Sequence, residues 1–165
     1  MLQLTEHFQI IELRCRGENK DEACPLCGGI YIYEPRLLDA AEAYRVLLGL
    51  PVVVTSGNRC FWKTQQMNYP NKPTFNWNDG PLNMSQHQTG CAIDCRSGGL
   101  GAKTLYKAAL EIPAFEQGGI GVYTGQKGDD RMHLDVRTKG RARWGYVGET
   151  KTHILEALEC SKEDR

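Results

Sequence analysis

The stretch Ser85-Gln86-His87-Gln88-Thr89-Gly90-Cys91-Ala92-Ile93-Asp94-Cys95-Arg96 changes character at its glycine. Before Gly90 it is polar and turn-like. From Cys91 the side chains alternate as they do along a β-strand. Ala92 and Asp94 share one face, and Cys91, Ile93 and Cys95 the other. That alternation accounts for Cys91 and Cys95 as core residues without any chemistry. His133-Leu134-Asp135 follows Asp94 by 39 residues, inside a second strand-like run. If the two strands pair, Asp94 and His133 converge. His87, seven residues before Asp94, reaches back across Gly90. Zinc takes imidazole nitrogen and carboxylate oxygen, and three protein ligands leave a fourth tetrahedral position for water, the catalytic arrangement rather than the closed structural one. The reading is a zinc site of His87, Asp94 and His133. Zinc there would lower the pKa of water towards neutrality.

The rest of the chain supplies a platform. Pro35 opens a helix whose apolar face runs to Leu48, and Gly49 stops it. Pro51 to Ser56 is a buried strand by its β-branched run. Leu100 to Glu111 is an amphipathic helix closed by Pro113. Gly119 to Thr124 and Met132 to Arg137 are strands joined by the turn Gly125 to Asp129. Trp144 to Val147 adds a short strand, and Thr150 to Cys160 a closing helix. Leu2 to Leu13 contains a short helical turn or an extended arm. Lys63 to Met84, rich in Asn, Pro, Gln and Gly, reads as a long loop whose Tyr69, Phe75 and Trp77 wall a cleft or pack at the core's edge. Strands and helices mix without regular βαβ alternation. The expected fold is α+β, a small, mostly antiparallel sheet flanked by helices, in one domain over residues 1–165.

Composition excludes several functions. Twenty basic and 20 acidic side chains give a formal net charge of zero, so bulk charge would not hold nucleic acid or an anionic membrane. No apolar run approaches the roughly 20 residues of a spanning helix. Met1 to Ile10 carries Glu6 and lacks a basic segment followed by an apolar one, so no secretory signal is expected. An enzyme acting outside the cytoplasm would need another route out.

Seven cysteines cannot all pair internally. In a reducing cytosol they are expected to be free thiols or metal ligands. Cys24-Pro25-Leu26-Cys27-Gly28-Gly29 has the form of a zinc knuckle. Its glycines would turn the chain so that backbone N–H groups point at the sulfurs. Cys15 and Cys60 would complete four ligands for a second, structural zinc. A single CxxC motif tips the reading towards buried thiols acting as small hydrophobes.

Four segments occur in order: Ser56-Gly57-Asn58-Arg59, then Ser85 to Asp94, then Gly118-Gly119-Ile120-Gly121-Val122-Tyr123, then His133-Leu134-Asp135-Val136-Arg137. Over roughly residues 7–147 this resembles the zinc peptidases of the D-alanyl-D-alanine carboxypeptidase and L-alanyl-D-glutamate endopeptidase family, with its SGxR, SxHxxGxAxD, GGxGxY and HxD pattern. Arg141 to Tyr146 and the Cys-rich segment 1–29 resemble the phage-type branch. The resemblance implies a fold shared with the hedgehog signalling domain and hydrolysis of a peptidoglycan stem-peptide amide. It implies a phage endolysin released through holin pores, or a wall hydrolase attached to tail or virion proteins. A non-catalytic particle module on the same scaffold is the alternative. Zinc ligation falls to His87, Asp94 and His133, and substrate binding to Arg59 and Ser85. Arg59 would hold the scissile carbonyl or a nearby carboxylate, using rigid paired donors suited to an oxyanion. The general base is expected at Asp130, three residues before His133, with Asp129 and Asp135 as alternatives. Asp135, on the same strand face as His133, would otherwise orient that ligand. Some relatives carry histidine where this chain has Arg131, which argues against a plain D-Ala-D-Ala carboxypeptidase.

Overall fold

A computed structural model describes residues 3–19, 21–68, 84–125 and 128–164. Its centre is an open six-stranded sheet. The strands are β1 (Val52–Ser56), β2 (Ala92–Ser97), β3 (Gly119–Thr124), β4 (Arg131–Asp135), β5 (Ala142–Val147) and β6 (Thr150–Thr152). Their spatial order is β1-β2-β4-β3-β5-β6. Every pairing is antiparallel except β3 with β5. This is the expected α+β class.

Side-chain parity divides the sheet. Ile93 and Cys95 on β2, Ile120 and Val122 on β3, and Met132 and Leu134 on β4 are all buried in the main core. The helices that close this face are α2 (Pro35–Leu48), α4 (Ala102–Leu110), α5 (Pro113–Gln117) and α6 (Ile154–Glu159). Tyr44 of α2 is buried among them and donates its hydroxyl to the Leu105 carbonyl at 3.0 Å. The opposite parity, Asp94, His133 and Gly121, faces the other way. The remaining helices are α1 (Ile10–Leu13) and α3 (Phe61–Asn68).

Three local expectations are corrected. The loop expected from Lys63 begins instead as α3, running to Asn68. Its polar composition hides it, because the side chains it buries, Thr64 and Gln65, are themselves polar. The aromatics at 69, 75 and 77 lie outside the described residues. Pro113 does not merely end α4; it occupies the first turn of α5, where a missing N–H costs nothing. Thr150 to Thr152 is a strand, hairpin-paired with β5, and the last helix starts only after His153, whose ring accepts from the Leu155 N–H. Among the described residues, no helix is long and apolar enough to cross a membrane.

Candidate metal centre

The sheet register builds the site. Ser56, Asp94, His133, Gly121 and Trp144 are successive cross-strand partners on β1, β2, β4, β3 and β5. Directly opposed residues share a face, so this row is a floor crossing five strands. Gly121 is the gap in it. A Cβ there would lie 2.5 Å from Trp144 Cε2, so only glycine lets the indole lie across β3. The indole thereby reaches His133, with ring centroids 5.0 Å apart.

His87 arrives from the turn before β2. Its Nε2 lies 3.2 Å from Asp94 Oδ1 and 3.2 Å from His133 Nδ1, and His133 Nδ1 lies 2.9 Å from the same Asp94 oxygen. Tetrahedral zinc with bonds of about 2.0–2.1 Å would separate its ligand atoms by about 3.4 Å. The three atoms are therefore close to one face of such a tetrahedron.

The outer hydrogen bonds decide which nitrogens carry protons. His87 Nδ1 sits 2.7 Å from the Gly57 carbonyl oxygen, which can only accept, so Nδ1 bears the hydrogen. His133 Nε2 sits 3.1 Å from Asp135 Oδ2 and bears the hydrogen for the same reason. Two imidazole lone pairs and a carboxylate oxygen then face one another, an arrangement that calls for a cation. This is the outer-shell orientation metal-binding histidines use. The donor set fits zinc.

The electrostatics agree. Burial pushes His87 below the usual histidine range, with Asp94 opposing it. Burial also works against a charged His133, but hydrogen bonds to Asp135 and Asp94 outweigh it and raise its pKa. Asp94 is likewise opposed by burial, yet the two histidines hold it well below the ordinary carboxylate range. The centre favours positive charge between its ligands.

The flanking motifs orient these groups. Arg59 pairs through Nη2 with the second oxygen of Asp94, and its Nε donates to Ser56 Oγ at 2.9 Å. The Ser85 hydroxyl accepts from the His87 N–H at 3.3 Å. Asp135 is fully buried. It accepts from the Gly119 N–H at 2.9 Å and pairs with Arg137, whose Nη2 is 2.6 Å away. A Cβ at Gly119 would fall 2.2 Å from that carboxylate, so this glycine also makes room for the site.

The structure does not bring the expected base, Asp130, to the centre. Asp130 stands an odd number of residues from His133 and so falls with Met132 and Leu134 on the helix side. Its Oδ2 accepts from Ala102 N at 3.0 Å, Lys162 N at 2.9 Å and Ser161 Oγ at 3.2 Å. It anchors the start of α4 and the chain's last segment. Asp129 pairs with Arg96 at 2.8 Å, away from the centre. Asp135 touches His133 and holds it, as its position on the strand implies.

No family model, curated protein or solved structure matches this chain. The site must be read from its own geometry. A cleft of about 360 Å³ opens over the three candidate ligands, lined also by Arg59, Ser85, Tyr123, Arg137 and Trp144. A second hollow continues past Arg59 and Asp94 to Lys63 and Arg131. Burial, with Asp94 adding to it, raises the Tyr123 phenol above its ordinary pKa, keeping it a donor. Tyr123, Arg137 and Trp144 were not singled out from sequence as cleft residues. Gly121, set between Ile120 and Val122 in the strand run, was the available signal for Trp144.

The cysteines form a separate cluster. Cys15, Cys24, Cys27 and Cys60 bring their sulfurs within 4.8 Å of one another, as a candidate metal-binding group.

Proposed function

We propose that this chain is a zinc metallopeptidase that hydrolyses an amide bond in bacterial peptidoglycan peptides, as a phage or prophage endolysin or a virion-associated wall hydrolase, on a hedgehog and D,D-peptidase type of fold. The observation that carries this reading is the convergence of His87 Nε2, Asp94 Oδ1 and His133 Nδ1, with both tautomers fixed from outside, at the floor of an open cleft. When bound, zinc supplies Lewis acidity towards a carbonyl oxygen and makes water a stronger acid. The chain's own groups do the rest. Arg59 holds Asp94 Oδ2, leaving Oδ1 for the centre, and presents its guanidinium to the cleft. The Tyr123 hydroxyl can donate to an oxygen that gains negative charge. Arg59, Lys63, Arg131 and Arg137 line the two hollows, and Asp94 is the sole carboxylate among the described lining residues. Such a groove suits a substrate with free carboxylates, as stem peptides have.

That same scarcity of carboxylates favours a second reading. With Asp130 turned to the helix side, no other carboxylate among the described lining residues stands ready to take a proton from water. A phage-particle module that binds wall peptide without turnover would need none. The two readings separate on one experiment. Purified peptidoglycan is digested with the zinc-loaded chain and with its His133→Ala variant, and soluble fragments are identified by mass spectrometry. Peptide fragments released only by the unaltered chain support the peptidase and give the bond cut. Sedimentation of the chain with the wall, without fragments, supports the binding module.

A further inference from the structure

The cysteine cluster lies apart from the main apolar core and from the histidine centre. Cys15, Cys24 and Cys60 are buried, with Cys27 half-buried at their edge. All four are free thiols. Cys24 Sγ and Cys60 Sγ are 3.9 Å apart. That is too far for a disulfide, whose sulfurs sit about 2.05 Å apart. It is close to the edge of a zinc–thiolate tetrahedron, about 3.8 Å for bonds of about 2.3 Å.

The backbone around the sulfurs is arranged for thiolates. The N–H of Cys60 points at Cys15 Sγ from 3.2 Å, that of Ile30 at Cys27 Sγ from 3.4 Å, and that of Lys63 at Cys60 Sγ from 3.4 Å. Four thiolates around a divalent zinc leave excess negative charge in a buried place. Amide dipoles aimed at sulfur offset it, as outer-shell donors do in other metal sites. Gly28 and Gly29 adopt φ of 67° and 84°, which turns the chain after Cys27 so that the Ile30 amide faces back. The turn is closed by the Gly28 N–H on the Cys24 carbonyl at 2.8 Å.

The four ligands come from three separate parts of the chain. Cys15 follows α1. Cys24 and Cys27 lie in the knuckle. Cys60 immediately follows Arg59, which grips the Asp94 ligand. Lys63 adds a clamp, its ammonium bonded to the Arg16 carbonyl.

We propose that Cys15, Cys24, Cys27 and Cys60 hold one structural zinc ion, distinct from the His87, Asp94 and His133 centre, and that this ion fixes the turn carrying Arg59. Binding displaces the thiol protons to solvent, so no oxidant or reductant is involved. Cys60 then has one position relative to the N-terminal segment, and Arg59 inherits it. Arg59 is a positioning residue in this scheme, acting on the histidine centre through Asp94.

The test uses the full chain, purified without chelators. Elemental analysis is expected to find two zinc ions per chain. The His87→Ala, His133→Ala double variant should keep one, and its zinc X-ray absorption should show four sulfur neighbours. This measurement leaves every cysteine intact, so misfolding of a cysteine variant cannot obscure it. Its outcome is also independent of whether the chain cleaves peptidoglycan. A double variant free of zinc, or holding zinc through nitrogen and oxygen, overturns the site. So does mass spectrometry showing disulfides among the four. For the positioning role, Cys27→Ser should lower zinc affinity at the histidine centre about tenfold or more, and Cys27→His, which restores a zinc ligand, should recover it. Unchanged affinity in a folded Cys27→Ser chain that has lost the sulfur-bound zinc would refute the coupling.

Discussion

Asp135 shows how one buried carboxylate can serve a centre it does not enter. It has no solvent exposure, and its charge is balanced by Arg137, the Gly119 amide and His133. Burial disfavours that charge, yet these bonds hold its pKa well below the usual range. Asp135→Asn keeps the shape but weakens the grip on His133 Nε2. Zinc affinity at the histidine centre, read by chelator competition, should fall about 10–100-fold. Unaltered affinity would mean that Asp135 serves the fold alone. Asp130 makes the opposite case. Asp130→Ala removes the acceptor of one hydrogen bond at the start of α4 and of two from residues 161 and 162, and should cost about 1–2 kcal/mol, the scale of a lost helix cap. The melting temperature should drop while zinc affinity stays the same. A wall-hydrolysing variant that lost turnover at full stability would return Asp130 to the role of base. In sequence both aspartates were candidates for the base, although Asp135 already shared a strand face with His133. Strand parity separates them, because Asp135 is an even step from His133 and Asp130 an odd one. Asp130 lies one residue before β4 begins, and its bonds to Ala102, Ser161 and Lys162 show its turn to the helix side.

At the scale of the element, Asp94 and His133 come together because β2 and β4 pair in one register, and the turn before β2 brings His87 to them. The strands themselves were readable, since β-branched and alternating side chains fit a pleated, half-buried surface. Their spatial order was not, because periodicity carries no information on which strands are neighbours. The polar α3 and the short α5 escaped for a different reason. Neither has enough turns to show an apolar period. The row through Asp94 and His133 also rests on a strand position that carries no side chain. Gly121→Ala would place a methyl group 2.5 Å from the Trp144 ring. Overpacking of this kind typically costs about 1–3 kcal/mol. The indole must also leave His133, so the variant should melt earlier and show altered tryptophan fluorescence on zinc binding. If thermal stability and the fluorescence response both match the unaltered chain, the indole does not depend on that gap.

At the scale of the molecule there are two cores among the described residues, and they are unlike. The larger is apolar, built from one face of the sheet and the helices α2, α4, α5 and α6. The smaller is four cysteines at the junction of the N-terminal segment and the Arg59 turn. Apolar burial in the larger core needs no metal. The smaller has little apolar surface of its own, so its order depends on what the sulfurs bind. Stability should therefore be uneven, with local opening possible below the free energy of global unfolding. Hydrogen exchange on the zinc-loaded chain should show protection both in the central strands and at the amides of Cys24, Gly28, Ile30, Cys60 and Lys63, which bond within or onto the cysteine cluster. A chelator strong enough to strip both sites should release the second set to fast exchange. The amides of β2, β3 and β4 should stay protected, because their hydrogen bonds close over the apolar core. Simultaneous loss of protection across the sheet would show instead that the two cores fold as one unit. The order of metal loss should follow exposure. His87 and His133 are as buried as three of the four cysteines, but their centre opens into a cleft, so zinc should leave it first. Stopped-flow chelation with a colorimetric dye should resolve a fast phase, abolished in the His87→Ala, His133→Ala variant, and a slow phase that accompanies opening of the cysteine segment.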